Sequence, residues 1–129
     1  MEKNELMMEV QDLARQAEQI EQHVQFLDQQ AEELMKFKIN LDNFEGKVGS
    51  KLISSFGKGV FMETELKSNI LFVEVGSGIL VKKDKNEVSS ILDQQIKVLR
   101  QSRNYFGEQF QVYTAELQKK MNSLENEMQ

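Results

Sequence analysis

Residues 50–92 read SKLISSFGKGVFMETELKSNILFVEVGSGILVKKDKNEVSSIL, and their periodicity differs from everything on either side. Val60, Met62, Thr64 and Leu66 alternate with Phe61, Glu63 and Glu65, the two-residue period of a β-strand. A polar step at Lys67, Ser68 and Asn69 leads into the apolar run 70–75, which predicts a hairpin between the two runs. Gly76, Ser77 and Gly78 then punctuate the chain ahead of Ile79, Leu80 and Val81. On the other side, Lys51, Leu52 and Ile53 supply a short strand before Gly57 and Gly59. Four strands, or two hairpins, fit within this insert.

Outward from the insert the period changes to that of a helix. Leu6, Val10, Leu13, Ala17, Ile20, Val24, Leu27, Ala31, Leu34 and Leu41 recur at alternating steps of four and three, broken only by Lys38. That is a heptad seam, narrower and longer than the stripe of a globular core helix. Val88, Leu92, Ile96, Leu99, Phe106, Phe110, Tyr113, Leu117, Met121, Leu124 and Met128 repeat the pattern after the insert, with Arg103 on the seam. Successive steps of four from Tyr113 to Met121 resemble a stutter, which locally unwinds a supercoil. The chain contains no proline, so neither segment is forced to kink.

The fold class that follows is mainly α with a small β insert: a long antiparallel coiled-coil hairpin carrying two central β-hairpins. One elongated domain spans residues 1–129, with a first helix over 1–46, a β region over 47–84 and a second helix over 85–129. Each helix would be on the order of 60 Å long. Glu45, Gly46 and Gly49 are expected to end the first helix, glycine accepting the left-handed backbone found there. Asp84 and Glu87 form a capping pair that starts the second helix near Asn86. If residues 45 and 87 stand opposite, Phe26 lies near Phe106, Lys38 near Gln94 or Gln95, and Arg103 near Gln29 and Glu32. Lys38 and Arg103 then fix register at some cost in stability.

Charge is uneven. Residues 1–45 carry eleven acids and four bases (net −7), residues 46–85 four and seven (+3), and residues 86–129 six and five (−1). An acidic rod repels phosphate, which disfavours nucleic acid as a partner. No cysteine and a single histidine, His23, exclude disulfide frameworks and His or thiolate metal clusters. No apolar run reaches membrane-spanning length and the N-terminus is not signal-like, so no membrane partner and a cytoplasmic location are expected. The two Gly-x-Gly steps lack an extended phosphate-loop pattern and do not open a helix, so no catalytic residue, cofactor or metal is expected and the chain is not read as an enzyme.

A four-stranded patch has open edges and apolar side chains, Phe56, Phe61, Leu71, Phe72 and Val73 among them, that two thin helices cannot cover. Other chains must cover them, through sheet addition. Folding the chain back at the sheet also brings its two ends together. Leu6, Met7, Met8, Val10 and Leu13 then meet Leu117, Met121, Leu124 and Met128 in a methionine-rich apolar tip. Methionine is unbranched and polarizable and adapts to many shapes.

Residues 50–92 resemble the central region of alpha-class prefoldin subunits, and the whole chain is similar in layout: helix, strand, Gly-x-Gly, hairpin, Gly-x-Gly, strand, helix. Gly57, Gly59, Gly76 and Gly78 occupy the two Gly-x-Gly steps. Room for four strands indicates the alpha class, which has two β-hairpins where the beta class has one. The chain departs from the family in having Ser54, Ser55 and Phe56 where a proline is common, and in being short at both ends.

The resemblance implies a hexamer of two alpha with four beta-class subunits, built on a double β-barrel platform from which coiled coils hang. It implies an ATP-independent holdase that takes non-native client proteins at the coiled-coil tips and passes them to a group II chaperonin. Subunit assembly would fall on Val60, Phe61, Met62, Leu66, Ile70, Leu71, Phe72, Val73, Val75, Ile79 and Val81. The alternative is a structural coiled-coil protein that self-assembles through the same β region into homo-oligomers or filaments.

Overall fold

The computed structural model describes residues 2–44 and 46–128. In chain order the elements are α1 (Glu2–Asp42), β1 (Lys51–Gly57), β2 (Val60–Glu65), β3 (Leu71–Glu74), β4 (Leu80–Lys83) and α2 (Lys85–Met128). The chain falls into two compact units. One consists of α1 up to Glu33 and α2 from Ile96 onward; the other spans Leu34–Gln95.

In the first unit the two helices run antiparallel. Lys120 Nζ is 2.8 Å from Glu9 Oε2, Arg103 Nε is 3.1 Å from Asp28 Oδ1, and the His23 and Phe106 rings meet edge to face with centroids 4.5 Å apart. The heptad seam is where burial concentrates. Ala17, Leu27, Ala31 and Ile96 are buried, and the larger seam side chains Val24, Phe106 and Phe110 are half-buried. Small alanines at Ala17 and Ala31 let the helices approach closely, as knobs-into-holes packing requires.

In the second unit, Leu41, Val88 and Leu92 form a buried cluster against which Leu34, Leu71 and Val73 pack. The expected capping pair at the start of α2 is present: Glu87 N–H donates to Asp84 Oδ1 at 2.7 Å, and Asp84 N–H donates to Glu87 Oε1 at 3.4 Å. Each side chain satisfies a backbone donor that helix geometry leaves unpaired.

α1 ends at Asp42, before the glycines expected to stop it; Glu45, named with them, lies outside the described residues. The helix end is met from α2. No basic residue occupies the last turn of α1, and Lys85 supplies the cation instead, its Nζ 2.5 Å from the Asp42 carbonyl and 3.4 Å from that of Phe44. A positive charge on unpaired C-terminal carbonyls stabilises a helix end. Gly46 serves a close approach: a Cβ there would stand 2.4 Å from the Phe44 ring and 2.8 Å from Leu66.

The strands form two separate two-stranded antiparallel ribbons, β1 with β2 and β3 with β4, rather than one four-stranded patch. The hairpin expected across Lys67, Ser68 and Asn69 does not form, because β2 and β3 do not pair. The reversals fall within the Gly-x-Gly steps. Gly57 pairs with Val60 around Lys58 (φ 52°) and Gly59 (φ 79°), and the Ile79 N–H donates to the Gly76 carbonyl around Ser77 (φ 52°) and Gly78 (φ 74°). Two successive residues with positive φ are the signature of the primed turns whose twist matches paired strands. The Lys67 to Asn69 step offers no such residue, so it connects ribbons without closing one.

Candidate functional site

The side chains expected to mediate assembly divide into two groups. Leu71, Val73 and Val81 are half-buried on one face of the β3–β4 ribbon, and Leu71 and Val73 rest on the Leu41–Val88–Leu92 cluster. Leu66 is likewise half-buried, close to where a Gly46 side chain would lie. These four therefore serve the chain's own packing. Val60, Phe61, Met62, Ile70, Phe72, Val75 and Ile79 are exposed, with Phe61 at 62% and Phe72 at 59%.

The β1–β2 ribbon is apolar on both faces. Strand alternation and register put Ile53 and Phe61 on one face and Leu52 and Met62 on the other. Ile53 is 78% exposed, and Phe56 and Leu80 are exposed too. Ile53 and Leu80 were absent from the expected assembly set although both stand in the strand-like runs; their alternation with Leu52 and Val81 is the signal that finds them. A two-stranded ribbon is marginal in water by itself, and both ribbons present unpaired edges among the described residues. Charges punctuate the surface without covering it: Lys51 Nζ stands 3.6 Å from Glu63 Oε1.

At the helix ends the expected tip residues come together in one unit. Leu6, Val10, Leu13, Leu117 and Leu124 are half-buried along the seam. Met7, Met8, Met121 and Met128 are exposed, Met8 the most at 69%. The Lys120–Glu9 ion pair ties the two helices together there, and its hydrogen bond raises the Lys120 pKa above the ordinary 10.5. The half-exposure of both Met121 and Lys120 agrees with the stutter, which turns the seam between two positions.

The polar seam residues find carboxylates. Lys38 ion-pairs with Asp93, a contact whose hydrogen bond raises the lysine pKa above 10.5, and Arg103 bonds Asp28. The expected partners were Gln94 or Gln95 for Lys38, and Gln29 and Glu32 for Arg103. Each true partner lies one residue away from an expected one. A register displaced by one residue rotates the facing helix position by about 100°; against Phe106 stands His23, one helical turn before the expected Phe26.

Among the described residues no group of three or more His, Asp or Glu side chains is arranged to hold a metal ion, and no helix is long and apolar enough to cross a membrane.

Comparison with known proteins agrees with this geometry. The family model described as Prefoldin subunit matches residues 13–129. Over 100 residues the chain is 31% identical to prefoldin subunit alpha of Methanobrevibacter smithii, covering 77% of this chain and 68% of that protein. Over 88 residues it is 28% identical to prefoldin subunit alpha of Methanosphaera stadtmanae, covering 68% of this chain and 64% of that one. The matched segment thus spans just under two thirds of the second relative's length. In fold it is similar to filamentous PFD from Methanocaldococcus jannaschii, solved by cryo-EM, with a TM-score of 0.76 at 17% identity over 89% of this chain and 97% of the other.

Proposed function

The chain belongs to the prefoldin family, and from that premise we propose that it is the alpha-class subunit of an ATP-independent holdase, a single prefoldin-like domain over residues 1–129. Two β-hairpins between two long helices support the alpha class. In this reading the ribbons join those of beta-class subunits, two alpha with four beta, closing a barrel that one chain lacks. The helices present their methionine-rich ends to non-native polypeptides, which pass on to a group II chaperonin. No catalytic step is part of the account.

The observation that carries the reading is the contrast between the two ribbons. β3–β4 lays one face on the helices, whereas β1–β2 leaves apolar side chains exposed on both faces. A ribbon with Ile53, Phe56 and Phe61 in water needs neighbours, and strand addition to its edges supplies both hydrogen bonds and apolar cover. At the other site, unbranched thioether side chains at Met7, Met8, Met121 and Met128 fit a surface that must take many sequences.

The test is suppression of aggregation of a chemically denatured client, without ATP, by the complex reconstituted with a beta-class subunit. Replacing Met7, Met8, Met121 and Met128 by serine is expected to leave the oligomer intact and weaken holding. Full suppression by that variant would remove the tip assignment.

A second reading, self-assembly into homo-oligomers or filaments with no client duty, is favoured by the same open ribbon edges and by the filamentous state of the Methanocaldococcus jannaschii protein of similar fold.

A further inference from the structure

The tip of the first unit divides its apolar residues by type. Leu6, Val10, Leu13, Leu117 and Leu124 are half-buried along the seam. Among the described residues 2–25 and 113–128, the exposed large apolar side chains are all methionine: Met7, Met8, Met121 and Met128, with Met8 and Met128 the most open at 69% and 67%. Away from the tip the exposed apolar side chains are mostly Phe, Ile and Val, with Met35 and Met62 the methionines among them. The half-buried residues that hold the helices together at the tip and the exposed ones that face solvent are therefore chemically distinct, and only the second group contains sulfur. The 129 residues include no cysteine, so thioethers are all the oxidisable sulfur in the chain.

We propose that Met7, Met8, Met121 and Met128 form a reversible oxidation site, at which a peroxide converts thioether to sulfoxide and weakens the tip's hold on polypeptide without dissolving the oligomer. The proposal rests on the holdase reading and adds to it how the same surface is switched.

The chemistry balances between the two reactants. A sulfur lone pair attacks one oxygen of hydrogen peroxide, the O–O bond breaks to expel hydroxide, and that hydroxide takes the proton from the new S–OH group and leaves as water. Sulfur loses two electrons and the peroxide gains them. A methionine sulfoxide reductase supplied with a dithiol reverses the step, the oxygen leaving as water and the dithiol closing to a disulfide.

Three features make the change a switch rather than damage. Exposure governs which methionines react, and these four are open to solvent. A sulfoxide is polar and accepts hydrogen bonds, so an apolar segment laid on it leaves that acceptor unpaired, and the adaptable thioether contact is lost at the same positions. The helix pairing stays in place, because it depends on the half-buried Leu and Val side chains and on the Lys120–Glu9 ion pair at 2.8 Å, none of which reacts with peroxide.

The experiment uses the complex reconstituted with a beta-class subunit, treated with hydrogen peroxide and freed of it before a fluorescent, chemically denatured model protein is added. Binding is followed by anisotropy, and each complex is compared with its own untreated form. The comparison complex carries Met7→Leu, Met8→Leu, Met121→Leu and Met128→Leu with the same beta-class partner, so oxidation of the partner's methionines contributes equally to both. Peptide mass spectrometry is expected to find one added oxygen on each of the four wild-type methionines. The wild-type complex should lose about three- to fivefold more affinity on treatment than the leucine complex. Methionine sulfoxide reductase with dithiothreitol should restore that difference, and both complexes should keep their native mass.

Equal losses in the two complexes overturn the proposal. So do absence of sulfoxide at the four positions, no recovery with the reductase, or dissociation of the treated wild-type complex where the leucine complex stays intact. Failure of the untreated wild-type complex to bind the denatured protein is a separate result, which removes the holdase reading and the switch with it.

Discussion

Arg103 Nε lies 3.1 Å and 3.4 Å from the two carboxylate oxygens of Asp28, so a seam position of α2 that would otherwise be apolar is joined to the opposite helix by a charge-assisted pair. Gly107, one turn further along α2, leaves room for it: a Cβ there would stand 3.2 Å from an Arg103 terminal nitrogen.

Gly107→Ala is therefore a contest between two terms. A glycine inside a helix costs about 1 kcal/mol relative to alanine. The displaced group is the far end of a flexible side chain in a partly exposed pair, worth about 0–1 kcal/mol. The substitution is expected to raise Tm slightly in a thermal melt followed by circular dichroism, and a clear fall in Tm would show that the Arg103–Asp28 geometry matters more than helix propensity.

Lys38 and Lys120 give the helix pairing an alkaline limit. A hydrogen bond to Asp93 raises the Lys38 pKa above 10.5, and one to Glu9 does the same for Lys120. A pKa raised on folding contributes stability that is fully present below the unfolded value and is lost as pH rises through the folded one. Wild-type Tm should therefore fall more steeply above pH 10.5 than that of a Lys38→Gln/Lys120→Gln variant. Comparing the two slopes isolates the contribution of these two lysines, and parallel slopes would contradict the assignment.

The start of α2 depends on Asp84. Its carboxylate accepts from the Glu87 N–H, and loss of such a cap costs about 1 kcal/mol. Asp84→Ala should lower the melting temperature by a few degrees, and Asp84→Asn, which can still accept the hydrogen bond, should recover most of the loss. Equal melting of all three proteins would mean that the cap contributes nothing.

The turns can be tested without steric interference. A Cβ at Gly59 or Gly78 meets nothing within 4 Å, yet φ there is +79° and +74°. Alanine at either position should cost about 1 kcal/mol through backbone conformation alone. Amide exchange at Val60, or at Val75 for the second ribbon, should speed up by roughly fivefold; unchanged exchange would place the turn strain elsewhere.

Much of this architecture was legible from periodicity. The seam from Leu6 to Leu41 and its counterpart from Val88 to Leu124 are the residues that burial selects, because a heptad repeat states directly which side of a helix meets a partner. Register was less legible. It shows in long-range contacts such as Lys38 with Asp93 and Lys85 with the Asp42 carbonyl, 55 and 43 residues apart, which no local pattern encodes. The ribbon pairing was misread at residues 67–69 for a related reason. A polar step resembles a turn, but the turn chemistry resides in the positive-φ pairs Lys58–Gly59 and Ser77–Gly78. The ring cluster around His23 was legible only in part: Phe26 was expected near Phe106, whereas His23, which meets both rings, lies one turn from the expected pairing.

The central claim is that the exposed ribbons build a mixed oligomer, and native mass measurement of this chain alone and after mixing with a beta-class prefoldin subunit tests it most directly. The account predicts a discrete complex of two copies with four partners that appears only on mixing and is lost with Phe61→Glu. A growing series of homopolymers, unchanged by the partner, would contradict it and favour the filament.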